Sequence, residues 1–313
     1  MIAADAKTNT YMSDNAHFAD VFNYFIYGGR QVIRPENLQE MDRTALAMPF
    51  GSGNEASEEV QKFRDVLKTV SVKSDDSTTY LLMGIENQSH IHYAMPVRNM
   101  LYDAISYANQ VEALAKRHRE NKEYGNGDEF LSGLHKGDKL RPVITLVIYW
   151  APDKWDGAGS LHDMLDTKDP ELLKLVPDYR MNLLTPDSID DFEKFKTELA
   201  EVLEFIKCSK DKDELIRAIN RNPGFQNLDR RSVELINAIT DADIVIPEGK
   251  EAINMCTAIK EMKEESRSVG RKEGISQGQS LLIRQALQNG NSVEQIAKFL
   301  NLPLDEVKRL SKG

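Results

Sequence analysis

Two strand-like stretches stand next to each other in the first third of the chain. In the first, Val66, Val70 and Val72 alternate with Leu67, Thr69 and Ser71; the second, residues 79–85, is a mostly apolar run rich in strand formers. Between them lies Ser74-Asp75-Asp76-Ser77, a cluster of turn formers. Apolar runs bounded by Asp and Ser in this way read as a β-hairpin. A turn centred between Asp75 and Asp76 puts Asp65 directly opposite Glu86, where cross-strand Cβ atoms lie ~5 Å apart. Gln88, two residues beyond Glu86, points to the same face. A slip of one residue would turn Asp65 to the other face. Two carboxylates that close can share a hard cation such as Mg2+.

Helical spacing governs most of the remainder. Phe18, Val21, Phe22, Phe25 and Ile26 form one stripe that predicts a helix over 13–27, capped by Ser13 and stopped by Gly28-Gly29. Asp14 reads there as a first-turn acid and Asp20 as part of a solvated face; the rival role for either is reaching a metal from the first helix. Residues 31–59 look irregular, with a loop at Gly51-Ser52-Gly53-Asn54. A long helix is expected over 96–118, from the recurrence of Val97, Met100, Leu101, Ala104, Ile105, Ala108 and Val111 behind Pro96. Arg98 opens it, placed either to meet a phosphate or Glu86 or to form a surface ion pair. His90 and His92 read as loop-edge residues, with imidazole ligation as the rival. Residues 121–139 are polar and Gly-rich, an exposed excursion.

Residues 143–149 barely alternate, as expected of a strand covered on both faces, and 179–184 is a short strand candidate. His162-Asp163 has no Ser or Cys nucleophile pattern beside it, so no triad is read there. From Ser188 the pattern is helical. Phe192, Phe195, Leu199, Val202, Leu203 and Ile206 predict one amphipathic helix, with two more around 215–219 and 233–239. A long helix over 252–287 carries Gly270, Gly274 and Gly278 at intervals of four. Each interior glycine costs ~1 kcal/mol relative to alanine, which close approach of a partner helix in a homo-oligomer would offset; a hinged linker is the other reading. Ser292-Val293-Glu294-Gln295 is a capping-box pattern. The two short helices that follow Gly290 resemble a helix-turn-helix hairpin.

Composition narrows the classes. The longest apolar run, 143–150, is far short of the ~20 residues of a membrane helix. The N-terminus lacks the charged start and apolar core of a signal peptide, and two cysteines without ligand spacing fit a reduced, cytoplasmic protein. The formal net charge of −10 weighs against a protein that coats nucleic acid through a basic surface. It leaves room for an enzyme that touches phosphates locally.

Arg64-Asp65-Val66, then Glu86-Asn87-Gln88-Ser89, then the Met95-Pro96-Val97-Arg98 helix start resemble the Rpn family of recombination-promoting nucleases, often described as transposases, within the PD-(D/E)XK nuclease superfamily. Strand 142–149, Trp155, Ser160-Leu161-His162-Asp163 and the charged glycine-repeat tail over 264–278 match in order. The resemblance implies an α/β fold: a restriction-endonuclease-like mixed central sheet flanked by helices, with a helical C-terminal extension. It divides the chain into a nuclease-like domain at 1–186, a helical extension at 187–246 and a charged helical tail at 247–313. It implies Mg2+, or Mn2+ or Ca2+ in its place, and hydrolysis of DNA phosphodiesters in a recombination or mobile-element setting. Carried over by position, Asp65 is the first acid and Glu86 the second. Asp65, Glu86 and Asn87 would ligate the metal, while Asp65, Glu86 and Gln88 would be catalytic. Gln88 stands where the superfamily pattern has Lys, and Arg64 where it has Pro. A nuclease fold that has lost activity and binds DNA or a protein partner is the alternative reading.

Overall fold

The computed structural model describes residues 2–41, 65–74 and 77–312. Arg64, the Asp75-Asp76 turn and the Gly51–Asn54 loop lie outside the described residues.

The hairpin forms in the expected register. Strand β1 (Leu38–Glu40) precedes β2 (Val66–Ser74), which pairs antiparallel with β3 (Ser77–Gln88) from Ser74↔Ser77 to Val66↔Ile85. Asp65 is the next residue in that register, opposite Glu86. Strand β4 (Val143–Tyr149) joins β3 in parallel, and β5 (Asn182–Leu184) joins β4 in parallel. The result is a five-stranded mixed sheet in the order β1-β2-β3-β4-β5. β4, paired on both sides, is buried along almost its whole length, which is why its sequence does not alternate.

Helices cover both faces. On one lie α1 (Ile2–Ser13) and α2 (Asn15–Tyr27). Lys68, in the middle of β2, is wholly buried beneath their junction, where its ammonium donates to the Ser13 carbonyl and Asn15 Oδ1 and lies over the Phe18 ring. A buried ammonium is tolerable only with such partners. Asp14, not Ser13, caps α2, accepting from Ala16 N at 2.8 Å. Gly28 ends it with φ +62°, a conformation that favours glycine.

On the other face lies α3 (Met95–Asn121), where Tyr107 packs on Leu67, Leu82 and Val143. The buried side of α3 differs from the apolar stripe. Val97 and Leu101 are exposed, while Asn99, Tyr102, Ile105 and Ser106 are buried. The reason is polar: Asp103 accepts from Thr145 Oγ1 at 2.6 Å and from Tyr179 OH at 2.7 Å, so these bonds set the helix's rotation.

The excursion after α3 contains α4 (Gly127–Ser132), and α5 (Pro170–Leu173) follows β4. Next come α6 (Leu199–Cys208), α7 (Lys212–Arg221) and α8 (Arg230–Thr240). A two-stranded ladder of β6 (Leu228–Asp229) and β7 (Ala252–Ile253) flanks α8. Phe192 and Phe195 fall outside α6. Asp20, expected on a solvated face, is buried and accepts from Lys196 N, Thr197 N and Thr197 Oγ1, which breaks the chain ahead of the helix.

The chain divides into two compact units between Ile253 and Asn254. The second comprises α9 (Met255–Gln288), α10 (Val293–Leu300) and α11 (Leu304–Lys312). Ser292 and Gln295 form the expected capping box on α10, and Ile283, Ile296, Ala297 and Val307 make a small core. A Cβ on Gly270, Gly274 or Gly278 would meet nothing within 4 Å among the described residues. No packing among the described residues accounts for the glycine repeat. Among the described residues no helix is long and apolar enough to cross a membrane.

Candidate active site at the end of the β2–β3 hairpin

The main chain of β3 outruns that of β2, and this creates the site. Trp150 N donates to Gln88 O at 2.8 Å, so Gln88 directs its backbone toward β4. Polar groups alternate sides along a strand. The N–H and C=O of Asn87 therefore point toward the β2 side, where the ladder has already stopped. The Asp65 carboxylate takes the place of the missing strand: Asn87 N donates to Asp65 Oδ2 at 2.7 Å. The carbonyl of Asn87 accepts from Gln88 Nε2 at 3.0 Å.

A ring of hydrogen bonds fixes Asp65. The indole N–H of Trp150 donates to Asn87 Oδ1 at 2.8 Å. An indole can only donate, so it orients the whole chain of amides behind it. Asn87 Nδ2 then donates to Asn9 Oδ1 at 2.8 Å, and Asn9 Nδ2 donates to Asp65 Oδ1 at 3.1 Å. Asn9 comes from α1, which also brings Asp5 to accept from Ser89 Oγ at 2.8 Å. Helix α1 is held from behind by α8, through Tyr11 OH and Ser232 Oγ at 2.9 Å and an ion pair of Lys7 with Glu234 at 3.6 Å.

Glu86 lies on the α3 side of the sheet and is buried. Arg98, in the first turn of α3, places a guanidinium nitrogen 3.6 Å from Glu86 Oε2 and donates from Nε to Tyr102 OH at 2.8 Å. Burial pushes the Asp65 carboxyl above its ordinary value; the Asn87 N–H, the Asn9 amide and Arg98 only partly offset this, and Asp5 adds to it. Burial likewise raises the Tyr102 phenol, and the negative charges of Glu86 and Asp65 raise it further. Both acids thus act on one phenol, Glu86 from β3 and Asp65 from just ahead of β2.

Four of the residues singled out from sequence, Asp65, Glu86, Asn87 and Gln88, converge here with Arg98. His90 and His92 are exposed in the following loop. Asp14 and Asp20 serve as helix cap and loop anchor, so it is Asp5 that brings a first-helix carboxylate to this region. The sequence pattern missed Asp5, Asn9, Trp150 and Tyr102. Asp5 and Asn9 are four apart and so share one helix face, but α1 has no apolar stripe to announce it as a helix.

Away from this site, His118, His135 and Asp138 offer ligand atoms all within 4.8 Å of one another, a spacing suited to one metal ion. His118 is buried in the last turn of α3, and the other two are half-buried in the excursion.

Comparison with curated proteins and with solved structures returns no match. A family model described as "Putative transposase, YhgA-like" matches residues 56–228. That span runs from just before Asp65 to the first residue of β6, and so includes Glu86, Gln88, Arg98 and Trp150 but not α1. It covers more than half of the chain, which belongs to this family of YhgA-like, or Rpn, putative transposases.

Proposed function

We propose that the chain is a metal-dependent DNA endonuclease that hydrolyses phosphodiester bonds, built on a restriction-endonuclease-like sheet and serving recombination or a mobile element. The observation that carries this reading is the juxtaposition of Asp65 and Glu86 at the end of the hairpin, with the Asn87 N–H and C=O directed to the place where β2 has ended. The donor set suits Mg2+: two carboxylates and a backbone carbonyl, all hard oxygen ligands. Asp65, Glu86 and the Asn87 carbonyl would hold the ion. Such an ion, when bound, polarises the scissile phosphate and lowers the pKa of the attacking water.

The chain's own residues do the rest. The ring through Asn9, Asn87 and Trp150 holds the Asp65 carboxylate in one orientation. Gln88 uses its amide to orient the attacking water, with its Nε2 resting meanwhile on the Asn87 carbonyl. Gln88 brings no charge, and Arg98 supplies the cation that Lys would have supplied there. Arg98 is a third exposed while Glu86 is almost fully covered, so its guanidinium can meet a phosphate without leaving the acid.

On this reading residues 1–186 form the nuclease-like domain, 187–246 a helical extension and 247–313 a charged tail, with DNA as the partner. Gly270, Gly274 and Gly278 would face a second copy. A second reading, binding of DNA or a protein without cleavage, draws on the neutral Gln88. Incubating the purified protein with supercoiled plasmid separates the two. Nicking in Mg2+, none in EDTA and none by Asp65→Ala is the expected result. Equal nicking by Asp65→Ala sinks the site, and retardation of DNA without cleavage favours the second reading.

A further inference from the structure

His118 is pinned between two acids. Its Nε2 lies 2.9 Å from Asp138 Oδ2 and its Nδ1 lies 3.3 Å from Glu123 Oε2. A neutral imidazole has one N–H and one lone pair. With a carboxylate at each nitrogen, the lone pair faces another lone pair unless a positive charge lies between them.

His135 completes the arrangement. Its ring stacks on that of His118, with centroids 3.8 Å apart, and its backbone N–H donates to Asp138 Oδ2 at 2.8 Å. Its Nε2 is hydrogen-bonded to the Glu123 carbonyl. Each imidazole therefore has one nitrogen anchored on Glu123: His118 Nδ1 on the side chain and His135 Nε2 on the main chain. His135 Nδ1 is therefore left with a lone pair, and so is His118 Nε2 when that ring carries its proton on Nδ1, toward Glu123. A metal-binding histidine almost always donates its second N–H to a carboxylate or a carbonyl, which fixes its tautomer and ring orientation. Both kinds of anchor are present, and one residue supplies them.

The local backbone is built around this cluster. Lys122 takes up a left-handed conformation (φ +55°) that turns the chain back, and Glu123 N donates to His118 O at 3.0 Å. Asn126 caps α4, and Gly133 ends it at φ +73°. A Cβ on Gly133 would lie 2.7 Å from Ala115 Cβ, so the loop is pressed onto α3 one turn before His118. Only glycine fits there, on both counts.

We propose that His118 Nε2, His135 Nδ1 and an oxygen of Asp138 form a binding site for a transition-metal dication, Zn2+ above all, which fastens the 122–140 excursion to the end of α3. Two imidazoles and a carboxylate favour Zn2+ over Mg2+, which prefers oxygen alone. The 2.9 Å between His118 Nε2 and Asp138 Oδ2 is a few tenths of an ångström short of the ~3.3 Å edge of a tetrahedron with zinc-length bonds. Stacked rings cannot both aim an in-plane lone pair at one ion, so binding would widen this spacing and swing the His135 ring off the face of His118. A fourth position remains for water. The site is independent of Asp65 and Glu86 and does not depend on the nuclease reading.

The test uses the full chain, stripped with a chelator and titrated with Zn2+ against a chromophoric zinc indicator. His118 is too buried to replace safely, so the variants are His135→Gln and Asp138→Asn, with Asp65→Ala as control. We expect one tight equivalent of Zn2+ in the native protein and in Asp65→Ala, and at least ~10–100-fold weaker binding in the other two. Co2+ would give the visible absorption of a tetrahedral N/O site in the native protein but not in His135→Gln. Limited proteolysis provides a second readout: Zn2+ should slow cleavage within 122–140 in the native chain and in Asp65→Ala, and not in His135→Gln or Asp138→Asn. The proposal is overturned if the native protein takes up no Zn2+, as a hydrogen-bonded ion pair alone would require. It is equally overturned if His135→Gln and Asp138→Asn bind like the native chain, or if Asp65→Ala is the variant that loses the ion.

Discussion

The hairpin end and the end of α3 both gather acids, yet they are built for different work. At the hairpin every candidate ligand is an oxygen carried on or beside a strand, and the braces come from distant elements: Asn9 from α1, Trp150 just beyond β4 and Arg98 from α3. At the end of α3 the ligands include two imidazoles, and the braces come from the same short stretch of chain, chiefly Glu123. A site braced by remote elements reports on the whole fold and can place a reacting group accurately. One braced locally can only staple its own loop. On the proposed function the first region does the catalysis, and on the proposed zinc site the second is a staple.

The largest expected effect is the loss of either hairpin acid. Glu86→Gln and Asp65→Ala should each slow Mg2+-dependent nicking by about a thousand-fold, ~4 kcal/mol in the barrier, and leave Zn2+ uptake unchanged. His135→Gln should do the reverse, losing zinc and keeping the nicking rate. A variant that lost both together would break the separation of the two regions.

Asn9→Ala comes next. Removing an outer brace on a metal ligand typically costs about 10–100-fold, measured here as the Mg2+ concentration for half-maximal nicking. It also tests a pH effect. Burial raises Asp65 above its ordinary value, so protons compete with the metal at a higher pH than they would for an exposed aspartate. Nicking should fall as pH is lowered through that raised value, and Asn9→Ala, which removes a donor to the carboxylate, should move the fall to higher pH. The sign for stability follows. Ionised Asp65 costs the metal-free fold some stability above its folded pKa, and the cost disappears as pH falls below the unfolded value of ~3.9.

Trp150→Phe should be smaller and should appear in stability as well as rate. It leaves Asn87 Oδ1 buried without its donor, at a cost of about 1–3 kcal/mol, read from the urea midpoint. Smallest is Arg98→Met, expected to slow nicking about 10-fold, or ~1.4 kcal/mol, and to make the remaining rate less sensitive to salt.

Much of the hairpin region could be read from the chain because it obeys local rules. Alternation and the Asp/Ser cluster between the two runs predict the β2–β3 register, and register alone sets Asp65 opposite Glu86. The uninterrupted apolar run of β4 likewise marks a strand covered on both faces. What escaped was decided by tertiary partners. Helix α1 is rich in Ala and Thr, with no stripe, and exists as an element because the sheet and α8 enclose it. The rotation of α3 follows Asp103 and Tyr102 rather than Val97 and Leu101. The start of α6 is set by Asp20, some 180 residues earlier, binding the backbone of 196–197. The cluster of His118, His135 and Asp138 has no motif spacing, since Gly133 and the turn at Lys122 bring it together.

The most direct test of the central claim is the initial nicking rate of supercoiled plasmid against Mg2+ concentration, for the native protein and Glu86→Gln side by side, each first loaded with one equivalent of Zn2+. The account predicts a rate that saturates with Mg2+ in the native protein and a nearly flat line for Glu86→Gln, with zinc content equal in both. Nicking by Glu86→Gln that rises with Mg2+ as the native protein's does would contradict it.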